Sequence, residues 1–139
     1  MYYLGIDLGG TNIAAGVVNE KFEIIGRGKV KTRAEIAEDM YIAGKAAVED
    51  AGLSLEDIHS IGVGAPGTVD PETGIIGFSN NLEFHNAPIA DMLKAHFGKD
   101  VYINNDANVA AYGEFLAGCG VGTKDFIAIT LGTGVGGGV

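Results

Sequence analysis

The sequence predicts a mixed α/β sheet with flanking helices, and three observations carry that reading. Three short strand-like runs come first, before any helical periodicity, which makes an antiparallel meander. After them strands alternate with helices, the pattern of parallel crossovers. Glycine is the third signal: 23 of 139 residues, more than twice the usual share of about 7%. The glycines cluster where predicted strands end, at Gly9-Gly10, Gly62/Gly64/Gly67 and Gly132/Gly134/Gly136/Gly137/Gly138. Linker glycine would be dispersed among Ser and Pro; glycine at a strand end lets backbone N–H groups come close to a ligand.

Each element has its own warrant. Residues 2–7 read as a short buried strand and residues 12–18 as its hairpin partner, with the turn at 7–11. A third strand, 23–31, carries Gly26 and Gly28, which predict a twisted edge or a bulge. Thr32 and Glu35 fit a capping box for a helix whose Ile36, Met40, Ala43, Ala47 and Ala51 share one face, stopped by Gly52. Residues 58–65 read as a fully buried strand that ends in Gly64-Ala-Pro-Gly67. Residues 68–77 are a hairpin excursion turning at Asp70-Pro-Glu-Thr-Gly74. A helix over 88–97 places Ile89, Leu93 and Phe97 on one side, with Gly98 as its stop. The strand 101–105 runs directly into an Ala-rich helix, 106–117. A loop, 118–124, then leads to strand 126–131 and a second Gly-rich turn, with a partner strand from about Gly137. Ligand groups are expected at the carboxyl ends of these strands.

Composition narrows the function. A formal charge of −9 repels phosphate backbones and anionic lipid, which disfavours nucleic-acid and membrane-surface partners. The apolar runs fall short of the ~20 residues that span a bilayer, and MYYLGIDLGG lacks the basic start of a signal peptide. The single cysteine, Cys119, forms neither an internal disulfide nor a multi-cysteine zinc site. A cytoplasmic location is the expectation.

Three motifs carry chemistry. In Asp7-Leu-Gly9-Gly10-Thr11-Asn12 a strand-end carboxylate beside two glycines can attract Mg²⁺ and offer backbone donors to phosphate. The plain alternative is a tight hairpin in which Asp7 bonds its own turn. Leu131-Gly132-Thr133-Gly134-Val-Gly-Gly-Gly138 repeats the Gly-Thr signature 122 residues later, and the matched pair points to an internal duplication facing one nucleotide. In Asn104-Asn105-Asp106-Ala-Asn108 the helix N-terminus favours ionised Asp106, which can accept a proton from a substrate hydroxyl. Equally, Asn105 or Asp106 can be the helix N-cap and nothing more.

Other patterns drop away. Gly62-Val-Gly64-Ala-Pro-Gly67 fits a dinucleotide fingerprint, but a hairpin follows it where a helix is required. No GxxxxGK[ST] occurs, so there is no P-loop. His59, His85 and His96 are scattered. The polar run 79–86, with Asn81 and His85, suits either sugar hydroxyls or a self-bonded surface loop.

Taken together, Asp7-Leu-Gly-Gly-Thr, Gly64-Ala-Pro-Gly67, Asn105-Asp106-Ala-Asn108 and Leu131-Gly-Thr-Gly-Val-Gly-Gly-Gly138 resemble the ROK family of bacterial sugar kinases, repressors and open reading frames, the likeness being strongest to its ATP-dependent glucokinases. The resemblance implies the actin-like (ribonuclease H-like) ATPase fold, with two lobes around a cleft. It implies Asp106 as catalytic base, with Asn105, Asn81 and the Gly67 backbone contacting the sugar. It implies Asp7 as the Mg²⁺-orienting residue, acting through water. Gly9, Gly10, Thr11 and Asn12, with Gly132, Thr133 and Gly134, would hold the ATP phosphates. By the same resemblance a structural zinc, a further sugar contact and the adenosine surface are expected beyond Val139. Residues 1–119 would be the N-terminal lobe and 120–139 the start of a second. The expected activity is glucose to glucose 6-phosphate. Alternatives are another hexose, such as fructose or an N-acetyl hexosamine, or a non-catalytic sugar-binding or sensor lobe. The 139-residue chain alone is expected to be inactive and to self-associate as a homodimer. The strand beginning at Tyr2 disfavours the family's DNA-binding branch.

Overall fold

The computed structural model describes residues 1–79, 82–132 and 134–139. Strands β1 (Tyr2–Leu8), β2 (Asn12–Val18) and β3 (Ile24–Lys31) form the expected meander. Helix α1 (Ile36–Asp50) and a 3-10 turn, Leu55–Asp57, lead to β4 (Ile58–Ala65). Then come β5 (Thr68–Asp70), β6 (Ile75–Ser79) and β7 (Phe84–Ala87), followed by α2 (Ile89–Phe97) and β8 (Val101–Asn105). Helix α3 (Asp106–Ala117) precedes β9 (Ala128–Leu131) and β10 (Val135–Gly138). The main sheet runs β3-β2-β1-β4-β8, with β1–β4 and β4–β8 parallel and the other pairs antiparallel. A three-stranded sheet, β5-β6-β7, and a two-stranded ribbon, β9-β10, complete the described residues.

Period-two alternation decides which face is buried. Leu4, Ile6 and Leu8 of β1 and Ile13, Ala15 and Val17 of β2 point into the core. There they meet Met40, Ala43, Ala47 and Val48 of α1 and Leu93 and Phe97 of α2. Each fully buried Leu, Ile, Val or Met side chain contributes about 1.5–3 kcal/mol relative to exposure. A Cβ at Gly28 would collide with the Ala43 carbonyl oxygen of α1 and one at Gly26 with that of Ala47. These glycines therefore serve close helix packing as well as the edge position of β3. The bulge in that strand pair falls between Val17 and Val18.

Three expectations need correction. Residues 79–86 are not simply a polar loop: Phe84–Ala87 forms β7 against β6, with His85 opposite Phe78, because the alternation there is too short to be read as a strand. Strand β9 starts at Ala128 rather than Phe126, and its partner β10 starts at Val135 rather than near Gly137. The Thr32–Glu35 capping box does not form. Glu35 occupies the N-cap of α1 without a side-chain cap bond, and the Thr32 hydroxyl is engaged elsewhere. Among the described residues no helix is long and apolar enough to cross a membrane.

Candidate active site

The strand order places the carboxyl ends of β1, β4 and β8 side by side. In register, Asp7 of β1 lies opposite Gly64 of β4, and Gly64 opposite Asn104 of β8. A Cβ at Gly64 would sit 3.5 Å from Cα and 3.8 Å from Cβ of Asp106, ordinary contact distances, so the first turn of α3 rests directly over the strand. Asp7 and Asp106 thus share one crevice, a cavity of about 630 Å³ also lined by Gly62, Ala107, Val109 and Thr130.

The cap question at α3 resolves by geometry. Asn105 is the N-cap, its Oδ1 accepting from the backbone N–H of Ala107 at 3.0 Å and of Asn108 at 3.4 Å. Its Nδ2 donates to the Gly67 carbonyl oxygen at 3.2 Å, tying the β4–β5 corner to the helix start. Gly67 needs its φ of +93° at that corner, a conformation that glycine adopts without strain. A side chain there would also run into the Phe78 carbonyl oxygen. With Asn105 carrying the cap, Asp106 is exposed, and one carboxylate oxygen accepts from the Ala107 N–H at 2.8 Å. Its other oxygen is without a protein partner among the described residues. A carboxylate with one oxygen anchored and one open at a helix N-terminus is oriented to take a proton.

Asp7 is tuned differently. Partial desolvation against the strand ends raises its carboxyl above the usual carboxylate value, and the Asp106 charge adds to the shift. Mg²⁺ is commonly bound by one or two carboxylates plus waters and phosphates, so the Asp7 carboxylate fits it through coordinated water and leaves Asp106 free.

The turn between β1 and β2 offers backbone donors. No protein acceptor is engaged by the N–H of Gly10 or Thr11 among the described residues. Gly9 is close-packed, since a Cβ there would lie 2.5 Å from the Asn12 carbonyl oxygen. Asn12 opens β2 and is exposed.

The second Gly-rich turn reaches the same end of the molecule through α3. Gly136 and Gly138 of β10 lie on α3; Cβ atoms there would meet Ala107 Cβ at 3.1 Å and Ala111 Cβ at 2.6 Å. Moving from Gly138 to Gly136 advances one turn toward the helix N-terminus. Gly132 N–H donates to the Gly134 carbonyl oxygen at 2.9 Å, and Thr130 of β9 lines the crevice that holds Asp106. Asn81 and Thr133, two residues anticipated for sugar and phosphate, lie outside the described residues.

Sequence reading missed two participants. Thr130 lines the crevice, and Thr32 donates its hydroxyl to the Gly9 carbonyl oxygen at 2.7 Å. Carrying the Asn12–Lys31 register one residue further would have set Thr32 against Thr11. Cys119 is exposed, and among the described residues no three His, Cys, Asp or Glu side chains cluster as a metal site.

A lobe of this topology, with glycine turns and a carboxylate converging at its strand ends, is an actin-like ATPase lobe. The ROK family profile matches residues 3–139, and the chain belongs to the ROK family. It is 41% identical over 136 residues to the glucokinase of Streptomyces coelicolor, covering 98% of this chain and 42% of that protein. With the glucokinase of Thermotoga maritima it shares 39% identity over 137 residues, covering 98% of this chain and 43% of that one. The structure superposes with a TM-score of 0.90 on the ROK family glucokinase of Streptomyces griseus, solved with glucose and AMPPNP. That match is 39% identical and covers 99% of this chain and 43% of the other. The chain thus spans less than half the length of the curated relatives it matches.

Proposed function

We propose that the protein, at its full natural length, transfers the γ-phosphoryl group of ATP to a hexose hydroxyl, with glucose as substrate and glucose 6-phosphate as product. The observation that carries this reading is the division of labour at the start of α3. Asn105 satisfies the helix N-terminus, which leaves Asp106 exposed in the crevice it shares with Asp7. The similarity to glucokinases over nearly the whole chain supports the same assignment.

In this mechanism the sugar lies against the Gly67 backbone, Asn105 and Asn81. Asp106 accepts the proton of the sugar hydroxyl as that oxygen attacks the γ-phosphorus. The bond from the γ-phosphorus to the β,γ-bridging oxygen breaks, and its electron pair leaves with ADP. Such a transfer needs alignment and charge neutralisation more than covalent help. The N–H groups of Gly10 and Thr11 face the phosphates from one hairpin, and the turn at Gly132, Thr133 and Gly134 faces them from the other. Bound Mg²⁺ would neutralise the phosphate oxygens, and Asp7 would orient it through coordinated water.

Residues 1–119 act as one lobe, and the β9-β10 ribbon within 120–139 opens a second. The protein works in the cytoplasm, its partners are sugar and nucleotide, and the 139-residue chain by itself is inactive and self-associates as a homodimer. The test is ADP release by the full-length protein across glucose, mannose, fructose and N-acetyl hexosamines. The expected result is highest kcat/KM with glucose. ADP release with none of these sugars overturns the reading; preference for another hexose overturns the substrate alone.

A further inference from the structure

We infer that Thr32 and the buried carboxylate of Asp39 are positioning residues that aim the backbone donors of the Gly9–Thr11 turn. The inference rests on the proposed role of that turn in holding nucleotide phosphate.

Asp39 is 3% exposed, and it and Ser79 are the buried polar side chains among the described residues. A buried carboxylate is costly unless it is hydrogen-bonded and paired. Its principal bond is to backbone: Asp39 Oδ2 accepts from the Arg33 N–H at 2.8 Å. The Arg33 guanidinium, largely in solvent, reaches Asp39 Oδ1 only at 3.9 Å. The work of Asp39 is therefore to fix the peptide that follows Thr32.

Thr32 in turn holds both ends of the glycine turn. Its N–H donates to the Thr11 carbonyl oxygen at 3.0 Å, and its hydroxyl donates to the Gly9 carbonyl oxygen at 2.7 Å. In a trans peptide the C=O and N–H point in opposite directions, and no cis bond occurs among the described residues. Drawing the Gly9 carbonyl toward Thr32 therefore turns the Gly10 N–H away from it, into the open. The Gly10 N–H has no protein partner among the described residues. The relay runs from the first turn of α1 through Asp39, Arg33 N–H and Thr32 to the peptide presenting the Gly10 donor. Neither side chain touches substrate in this account; each acts through the turn.

The test is steady-state kinetics on the full-length protein, with AMPPNP affinity by calorimetry alongside. Thr32→Val keeps the branched shape and removes the hydroxyl donor; Thr32→Ser restores the donor. Thr32→Val is expected to raise the KM for ATP and the Kd for AMPPNP about five- to ten-fold, the worth of one ordinary hydrogen bond, with the KM for sugar within two-fold. Thr32→Ser is expected to return both nucleotide constants to near wild type. Asp39→Asn is expected to shift in the same direction as Thr32→Val by a smaller factor. Wild-type nucleotide constants in Thr32→Val, or equal losses in Thr32→Val and Thr32→Ser, would overturn the relay while leaving the kinase reading intact. A wild-type protein that binds no AMPPNP would overturn both.

Discussion

The molecule carries the same Gly-Thr turn twice, and the two hairpins live in opposite circumstances. The first, β1–β2, lies inside the five-stranded sheet, with β4 on one side and β3 on the other. One face of it is sealed by α1, and Thr32 ties its turn from below. The second, β9–β10, is a free two-stranded ribbon whose support is α3, where glycines of β10 meet Ala107 and Ala111. Its apolar side chains are in solvent: Ile129 is 70% exposed, Leu131 81% and Val135 79%. The first turn is held by strands on both sides and by Thr32, whereas within this chain the second rests on Ala107 and Ala111 of α3. What the two have in common is a neighbour, α3: Asp7 at the end of β1 shares a crevice with Asp106, and β10 rests on Ala107 and Ala111.

Substitution at the start of α3 has the largest expected effect. Asp106→Asn keeps the shape and one acceptor but removes the base, so kcat should fall about 10²–10⁴-fold. Sugar affinity should stay within a few-fold, as read by calorimetry. If the mutant keeps wild-type kcat, the two hairpins converge on a helix cap and nothing more.

The uncovered ribbon yields the next effect. An exposed strand edge with an apolar face pairs readily with another copy of itself. Light scattering on the 139-residue chain at high micromolar concentration should report a dimer. Ile129→Lys with Leu131→Lys should shift it to monomer, because two charges on the one apolar face of β9 oppose stacking. A wild-type chain that stays monomeric would mean the two hairpins are equally self-sufficient.

A smaller effect concerns the first hairpin alone. The Asp7 carboxyl is raised by desolvation and by the Asp106 charge. The folded state therefore holds this proton more tightly than the unfolded one, and stability falls as pH rises through the window above the ordinary carboxylate value of 3.8. Removing the charge should relieve that penalty. Asp7→Asn is expected to raise Tm modestly at pH 7, and the difference should vanish when the pH drops below about 4. A Tm gain that persists unchanged in acid would assign it to packing instead.

The same contrast explains what could be read from sequence. The first hairpin, α1, β4 and α2 were legible because alternation, helical periodicity and stop glycines all agreed there; Gly52 and Gly98 adopt positive φ just past their helices. The proximity of Asp7 to Asp106 was not legible, since it depends on β4 lying between β1 and α3. Strand β7 was hidden in a run of Asn, His and Glu whose strand character comes only from pairing with β6. Thr32 looked like a helix cap because Ser and Thr hydroxyls suit several backbone partners equally well in sequence. Only the register of β2 against β3 selects the Gly9 carbonyl. The role of Gly136 and Gly138, seating the ribbon on Ala107 and Ala111, likewise needs the third dimension.

That both turns grip one nucleotide is tested most directly by a double-mutant cycle on AMPPNP affinity in the full-length protein. A Cβ at Gly134 meets nothing within 4 Å, so the side chain of Gly134→Val starts in open space and the variant reports on the ligand. Gly10→Val is its counterpart in the first turn. Each single variant is expected to weaken AMPPNP about ten-fold or more while sparing sugar. Together they should be non-additive by at least about 0.5 kcal/mol, as for groups contacting one ligand. Wild-type AMPPNP affinity in either single variant would contradict the account.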